Sequence, residues 1–176
     1  YFLLTNSLLL TGTGHDPVID YKSYRSSAAG GSYNAKIYLA DEIIDQFGFG
    51  IKQNPAAFRN FLRYARNKFD VMPKQVFIVG RGMTYVNQRT YEAYPNINQL
   101  NMVPTFGNPA SDALLVAEPG SSLPEMSIGR LSVIYPSEVA VYLKKVKEFE
   151  QTQAFQSPLI KDKAWMKNIM HIIGAG

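Results

Sequence analysis

Val76-Phe77-Ile78-Val79 is an unbroken apolar run that ends in Gly80. Side chains of a strand alternate between its two faces, so a strand of this composition is apolar on both and needs cover on both. That requirement points to a parallel sheet between helical layers. The rest of the chain alternates strand patterns with helix patterns, so the expected fold is α/β, a mainly parallel sheet flanked by helices.

Phe2-Leu3-Leu4 predicts a first strand, ending in a Thr-Asn-Ser turn. Asp16-Pro17 predicts a helix start, Asp as N-cap and Pro at the first helical position, with the helix running through Tyr21 and Arg25 to Gly30-Gly31. Ala35, Ile37 and Leu39 alternate with Lys36 and Tyr38 as a strand does, and Asp41 is read as the cap of a short helix, Ile43–Phe47, closed by Gly48 and Gly50. The clearest helix begins at Asn54-Pro55: Phe58, Phe61, Leu62 and Ala65 form one apolar stripe, opposite Arg59, Arg63 and Arg66. Residues 81–101, rich in Asn, Gln, Tyr and Arg, are expected to be a long surface loop. Short strands are expected at Met102–Phe106, Ala113–Val116 and Met126–Val133, then a helix from Ser137 with Val139, Tyr142, Leu143, Val146 and Phe149 on one face. Residues 151–163 read as a linker, and Ile169–Ile173 as a strand that stops at Gly174-Ala175-Gly176.

Composition narrows the chemistry. Apolar residues make up 46% and charged residues 18%, which suits a globular chain and not a disordered one. Polar Thr5, Asn6 and Ser7 interrupt the N-terminal apolar run, so it reads as a buried strand, not a membrane helix or leader. The first residue is Tyr1, so the natural start is expected to be missing or processed away. The 176 residues contain no cysteine, which excludes a disulfide, a thiolate metal site or a cysteine nucleophile within them. Net charge is +4, concentrated at Arg59, Arg63, Arg66 and Lys68 and again at Lys144, Lys145 and Lys147. Neither group is interleaved with aromatics as a nucleic-acid groove would be, so both are read as solvated helix faces, with docking to an acidic neighbouring domain as the alternative.

Ligands of parallel sheets bind at the carboxyl ends of strands, here Thr5–Ser7, Gly80–Thr84 and Gly174–Gly176. Gly80-Arg81-Gly82 invites a dinucleotide reading, but the third glycine of that pattern is replaced by Tyr85, and a tight turn is the plainer reading. There is no Gly-x-Ser-x-Gly elbow and no His-Glu-x-x-His zinc helix. Asp41, Glu42 and Asp45 suit a helix N-terminus better than a metal. His15 reads as an exposed loop histidine and His171 as a packed strand histidine. Asp112 either faces a cleft or caps a turn.

Lys74-Gln75-Val76-Phe77-Ile78-Val79-Gly80-Arg81-Gly82, then Val103-Pro104-Thr105, Ser111-Asp112 and Met126-Ser127-Ile128-Gly129-Arg130-Leu131-Ser132-Val133 form an ordered series. Ser137-Glu138-Val139 through Lys144-Lys145 to Phe149-Glu150, and Lys163-Ala164-Trp165, continue it. Upstream lie Ile44-Asp45-Gln46-Phe47 with Gly50, and Ala56-Ala57-Phe58-Arg59-Asn60-Phe61-Leu62. The series resembles gingipain-like cysteine peptidases, in the branch that includes the type IX secretion sortase. Arg81 departs from the pattern, standing where the family often has Asp.

The resemblance implies a Rossmann-like or caspase-like layered subdomain. Residues 1–150 would be the N-terminal subdomain of a peptidase domain, 151–163 a linker, and 164–176 the first strand of a second, catalytic subdomain. That second unit carries the family's Gly-His-Gly histidine and its cysteine; neither motif occurs here, so no catalytic residue is assigned. The chain is thus expected to be a non-catalytic portion of a cysteine endopeptidase, inactive alone. It would support the downstream catalytic subdomain and one wall of a cleft for a polypeptide substrate. Candidate cleft-edge residues are Gly80, Arg81, Gly82, Asp112, Gly174 and Gly176. No cofactor is assigned, although the resemblance admits calcium in the intact parent, and the implied location is secreted or on a bacterial cell surface. The alternatives are a stand-alone nucleotide- or phosphate-binding module, or a degenerate scaffold for protein partners that docks through Arg59–Arg66.

Overall fold

The structure is a computed structural model and describes residues 1–11 and 15–170. Four strands, β1 (Phe2–Thr5), β2 (Lys36–Leu39), β3 (Gln75–Val79) and β4 (Ser127–Leu131), form one sheet of order β2-β1-β3-β4 in which every pairing is parallel. The fold is therefore α/β, with β1 and β3 central. Leu3, Leu4, Ile78 and Val79 are fully buried, as the apolar runs require.

Helices cover both faces. On one, α1 (Pro17–Ser26) packs beside α6 (Pro136–Ala154); on the other, α2 (Ala40–Phe47) packs beside α3 (Pro55–Lys68). Strand alternation sorts the aromatics between these layers. Phe77 stacks between Tyr21 of α1 and Tyr142 of α6, at centroid distances of 5.3 and 5.8 Å. Phe2, one register position away, meets Phe61 of α3 at 5.8 Å and Tyr38 at 4.7 Å. The α1/α6 layer is tied further by Arg25, which pairs with Glu150 at 2.7 Å and donates to the Tyr21 hydroxyl at 3.1 Å.

Local signals placed the helix starts well. The Asp16 carboxylate accepts from Val18 N and Ile19 N, and Asn54 Oδ1 accepts from Ala56 N. Helix α1 stops at Ser26, short of Gly30-Gly31, because Ser27 turns extended and its hydroxyl bonds back to Tyr24 O. Helix α2 begins at Ala40 with Leu39 at the cap position, so Asp41 lies in the first turn and is not the cap. Helix α6 begins at Pro136, one residue before Ser137. Phe149, expected on its apolar face, is half exposed, and only Val139 and Leu143 are buried.

Several expectations are corrected. Residues 81–101 are not one loop: they contain α4 (Tyr85–Thr90) and α5 (Ile97–Leu100), which between them bury only Ile97 and so leave no apolar stripe to read. Ala113–Val116 is not a strand, since Asp112–Leu115 is a 3-10 helix. Met102–Phe106 makes only single bridges, Thr84 to Thr105 and Phe106 to Ser111, because Met102 N and Val103 N both donate to Arg81 O. The expected linker, 151–163, is partly helical: α6 continues to Ala154, and a 3-10 helix spans Ile160–Lys167. Residues 164–167, expected to lead a strand, lie in that 3-10 helix. The remainder of that strand, with His171, falls mainly on residues 171–176, outside the described residues.

Candidate functional site

The carboxyl edge of the sheet is built around the turn that follows β3. Gly80 takes φ 139, a region closed to ordinary side chains, and a Cβ there would also press on Met102 at 3.2 Å. At Gly82 a Cβ would stand 2.2 Å from Val103 O and 2.7 Å from Arg130 Nη1, so only glycine fits. The turn is held by its own backbone: Gly80 N donates to Leu131 O, Arg81 N to Val133 O, and Met83 N to Asn101 Oδ1. With these three N–H groups already donated, the turn offers an anion few of the backbone donors that the dinucleotide alternative requires. The Arg81 side chain is exposed; its backbone does the structural work.

Asp112 reaches this turn through Arg130 of β4. Arg130 Nε and Nη2 grip the two carboxylate oxygens at 2.8 and 2.7 Å, while Nη1 donates to Gly80 O and Val103 O, each at 2.8 Å. One guanidinium thus fastens β3, the 102–106 segment and the 3-10 helix at Asp112 to one another. Burial would push the Asp112 carboxyl up; the hydrogen bonds and positive charge of Arg130 outweigh it and hold it below the usual carboxylate range. Asp112 is therefore neither a free cleft carboxylate nor a simple turn cap. Of the candidate residues, the structure brings Gly80, Arg81, Gly82 and Asp112 together; Gly174 and Gly176 lie outside the described residues.

The basic face of α3 is likewise engaged internally, contrary to the solvated reading. Arg63 Nη2 donates to Ala117 O at 2.8 Å, Arg66 pairs with Glu118 at 3.2 Å and Glu125 at 2.5 Å, and the Arg59 guanidinium lies over the Phe106 ring at 4.6 Å. The acidic neighbour is loop 117–125 of this chain. His15 is an exposed loop histidine, as expected, with Asp20 at 3.8 Å.

Beside the turn a groove of about 800 Å³ follows the ends of β1 and β2. Ser7, Asp41, Asp45, Gln53, Tyr85 and Arg89 contribute to its walls. Asn6 shapes its floor: its side chain donates to Met102 O and accepts from Leu8 N. Tyr85 and the α2 carboxylates were not singled out as site residues from sequence; Tyr85 was noted only as a missing glycine. Among the described residues no three His, Cys, Asp or Glu side chains gather as a metal ion would need, and no helix is long and apolar enough to cross a membrane.

The class these observations define is an α/β layer whose all-parallel sheet has a shaped carboxyl edge, in a chain without cysteine. Residues 3–176 match the family model of Peptidase family C25, and the chain belongs to that family. The fold is similar to that in the crystal structure of dimeric latent PorU from Porphyromonas gingivalis, with a TM-score of 0.59 at 17% identity over 93% of this chain. The chain spans 18% of that protein's length. No curated protein sequence matches it.

Proposed function

We propose that this chain is the non-catalytic N-terminal portion of a gingipain-like cysteine endopeptidase. It buttresses the catalytic subdomain and supplies one wall of the substrate cleft through its strand-end loops. The observation that carries the reading is that residues 3–176 match a cysteine-peptidase family while containing no cysteine. Attack of a thiolate on a peptide carbonyl needs a thiol with a base in hydrogen-bond reach, so that chemistry belongs to another part of the parent. In this reading residues 1–150 form the subdomain, and the parent is secreted or held at a bacterial cell surface.

Two features weigh against the alternatives. The N–H groups of Gly80, Arg81 and Met83 in the turn are donated within the protein, which weighs against a phosphate site there. Arg63 and Arg66 are paired with loop 117–125, which leaves less of the basic face for a docking partner.

A fluorogenic protein substrate tests the reading. The chain alone is expected to release no signal above buffer, whereas the intact parent hydrolyses the substrate and is silenced by a thiol-alkylating reagent. Hydrolysis by the chain alone, or parental activity indifferent to alkylation, would overturn it.

A further inference from the structure

The groove beside the turn has an apolar annex. A second space of about 450 Å³ is walled by Ile51, Pro55, Val86 and Phe106, and it shares Ile51 and Tyr85 with the larger groove. Both volumes fall in the ~300–1,000 Å³ range of ligand sites. A chain laid across the Tyr85 ring would pass over the two in turn.

We propose that this cleft binds an extended polypeptide segment, seating a bulky apolar side chain in the annex and a cationic side chain against Asp41 and Asp45. The apolar half of the assignment rests on Ile51, Tyr85 and Val86, large side chains left exposed at one place on the carboxyl edge. An aromatic or long aliphatic group seated there removes apolar surface on both partners from water.

The cationic half rests on charge. Asp41 and Asp45 are four residues apart on α2 and so share one face, and both line the groove. Among the described residues neither forms an ion pair; Asp41 accepts only the Ser7 hydroxyl, at 3.1 Å. The other charges on the walls are Arg89 and Glu92, which pair with each other at 3.1 Å, and Lys52. The balance is negative, which repels a phosphate and suits Lys or Arg. Gln53 also lines the groove, and its buried Oε1 has no hydrogen-bond donor among the described residues. Turning that amide toward the groove would present it to the peptide N–H groups an extended chain offers along its length.

The inference rests on the reading above only in taking a polypeptide as the ligand, and it requires no thiol. Its test is fluorescence anisotropy of the chain with labelled glycine-rich octapeptides. Each carries one Phe and one Lys, two to four residues apart, in either order. The best of them is expected to bind saturably, to weaken about tenfold when Phe becomes Ala, and to weaken about fivefold when Lys becomes Glu. Tyr85→Ala should reduce binding of every peptide. Asp41→Asn with Asp45→Asn should erase the preference for Lys over Glu while leaving the thermal midpoint unchanged, since both side chains are exposed. Absence of saturable binding at millimolar peptide, equal affinity for Lys and Glu peptides, or a preference that survives the double Asn variant would each overturn the proposal. None of these results touches the location of the thiol, so the two readings fail separately.

Discussion

Arg130→Ala is the most informative substitution in this molecule. The Arg130 side chain is 12% exposed and makes four hydrogen bonds, two to the Asp112 carboxylate and two to backbone carbonyls. Removing it strands a carboxylate that is 23% exposed together with Gly80 O and Val103 O. A bond to a charged group contributes ~1.5–3 kcal/mol and a neutral one ~1. Access of water to Asp112 softens the loss, so we expect about 3–5 kcal/mol, the range for breaking a buried pair from one side. Against a total of ~5–15 kcal/mol this is severe, and the thermal midpoint should fall by about 10 °C. Urea unfolding of wild type, Arg130→Ala, Asp112→Ala and the double variant should give a coupling of about 2 kcal/mol at pH 7. The pH dependence has a definite sign. The folded Asp112 carboxyl lies below its ordinary value, so its contribution is present above ~pH 4 and is lost as pH falls through the folded value. The gap between wild type and Asp112→Asn should therefore close in acid. A coupling under ~0.5 kcal/mol, or a gap as wide at pH 3 as at pH 7, would refute the clamp.

Gly82→Ala should cost about 2–3 kcal/mol in urea unfolding, because its Cβ would collide with Val103 O and the Arg130 guanidinium. Ile78→Ala, in the centre of the sheet, should cost about 2–5 kcal/mol, whereas Phe155→Ala, at a side chain 88% exposed, should stay within ~0.5. Burial and the Tyr21 hydroxyl raise Tyr1 and Tyr142, burial raises Tyr38, and the bond to Glu150 raises Tyr24. Raised values mean that this stability is full below ~pH 10 and lost as pH rises through the folded values. Phenolate absorbance should show these four titrating late and together with unfolding.

What could be read from the residues was what repeats along the chain. The Val76–Val79 run and the Phe58–Ala65 stripe each state their burial within a few positions, and both elements stand where expected. The four-residue run at Ala113–Leu115 and Val116 misled because a short apolar segment carries no period to separate strand from 3-10 helix. Helices α4 and α5 hid because they bury one side chain between them. The clamp was illegible for another reason: Asp112 and Arg130 are 18 residues apart, and only the packing of the 3-10 helix at Asp112 against β4 brings them together. The hint was an arginine in mid-strand, at a position whose side chain must find a partner if it is covered. The cleft needed the same tertiary information, since its walls come from three separated segments around residues 6–8, 41–53 and 85–98.

The central claim is that these residues serve a cysteine peptidase whose thiol lies elsewhere in the same protein. The direct measurement is the native reading frame that encodes this chain, read through its full length. The account predicts a Gly-His-Gly and, a few tens of residues later, a cysteine on an apolar strand pattern. A frame with neither would contradict it and leave a C25-type fold that serves binding alone.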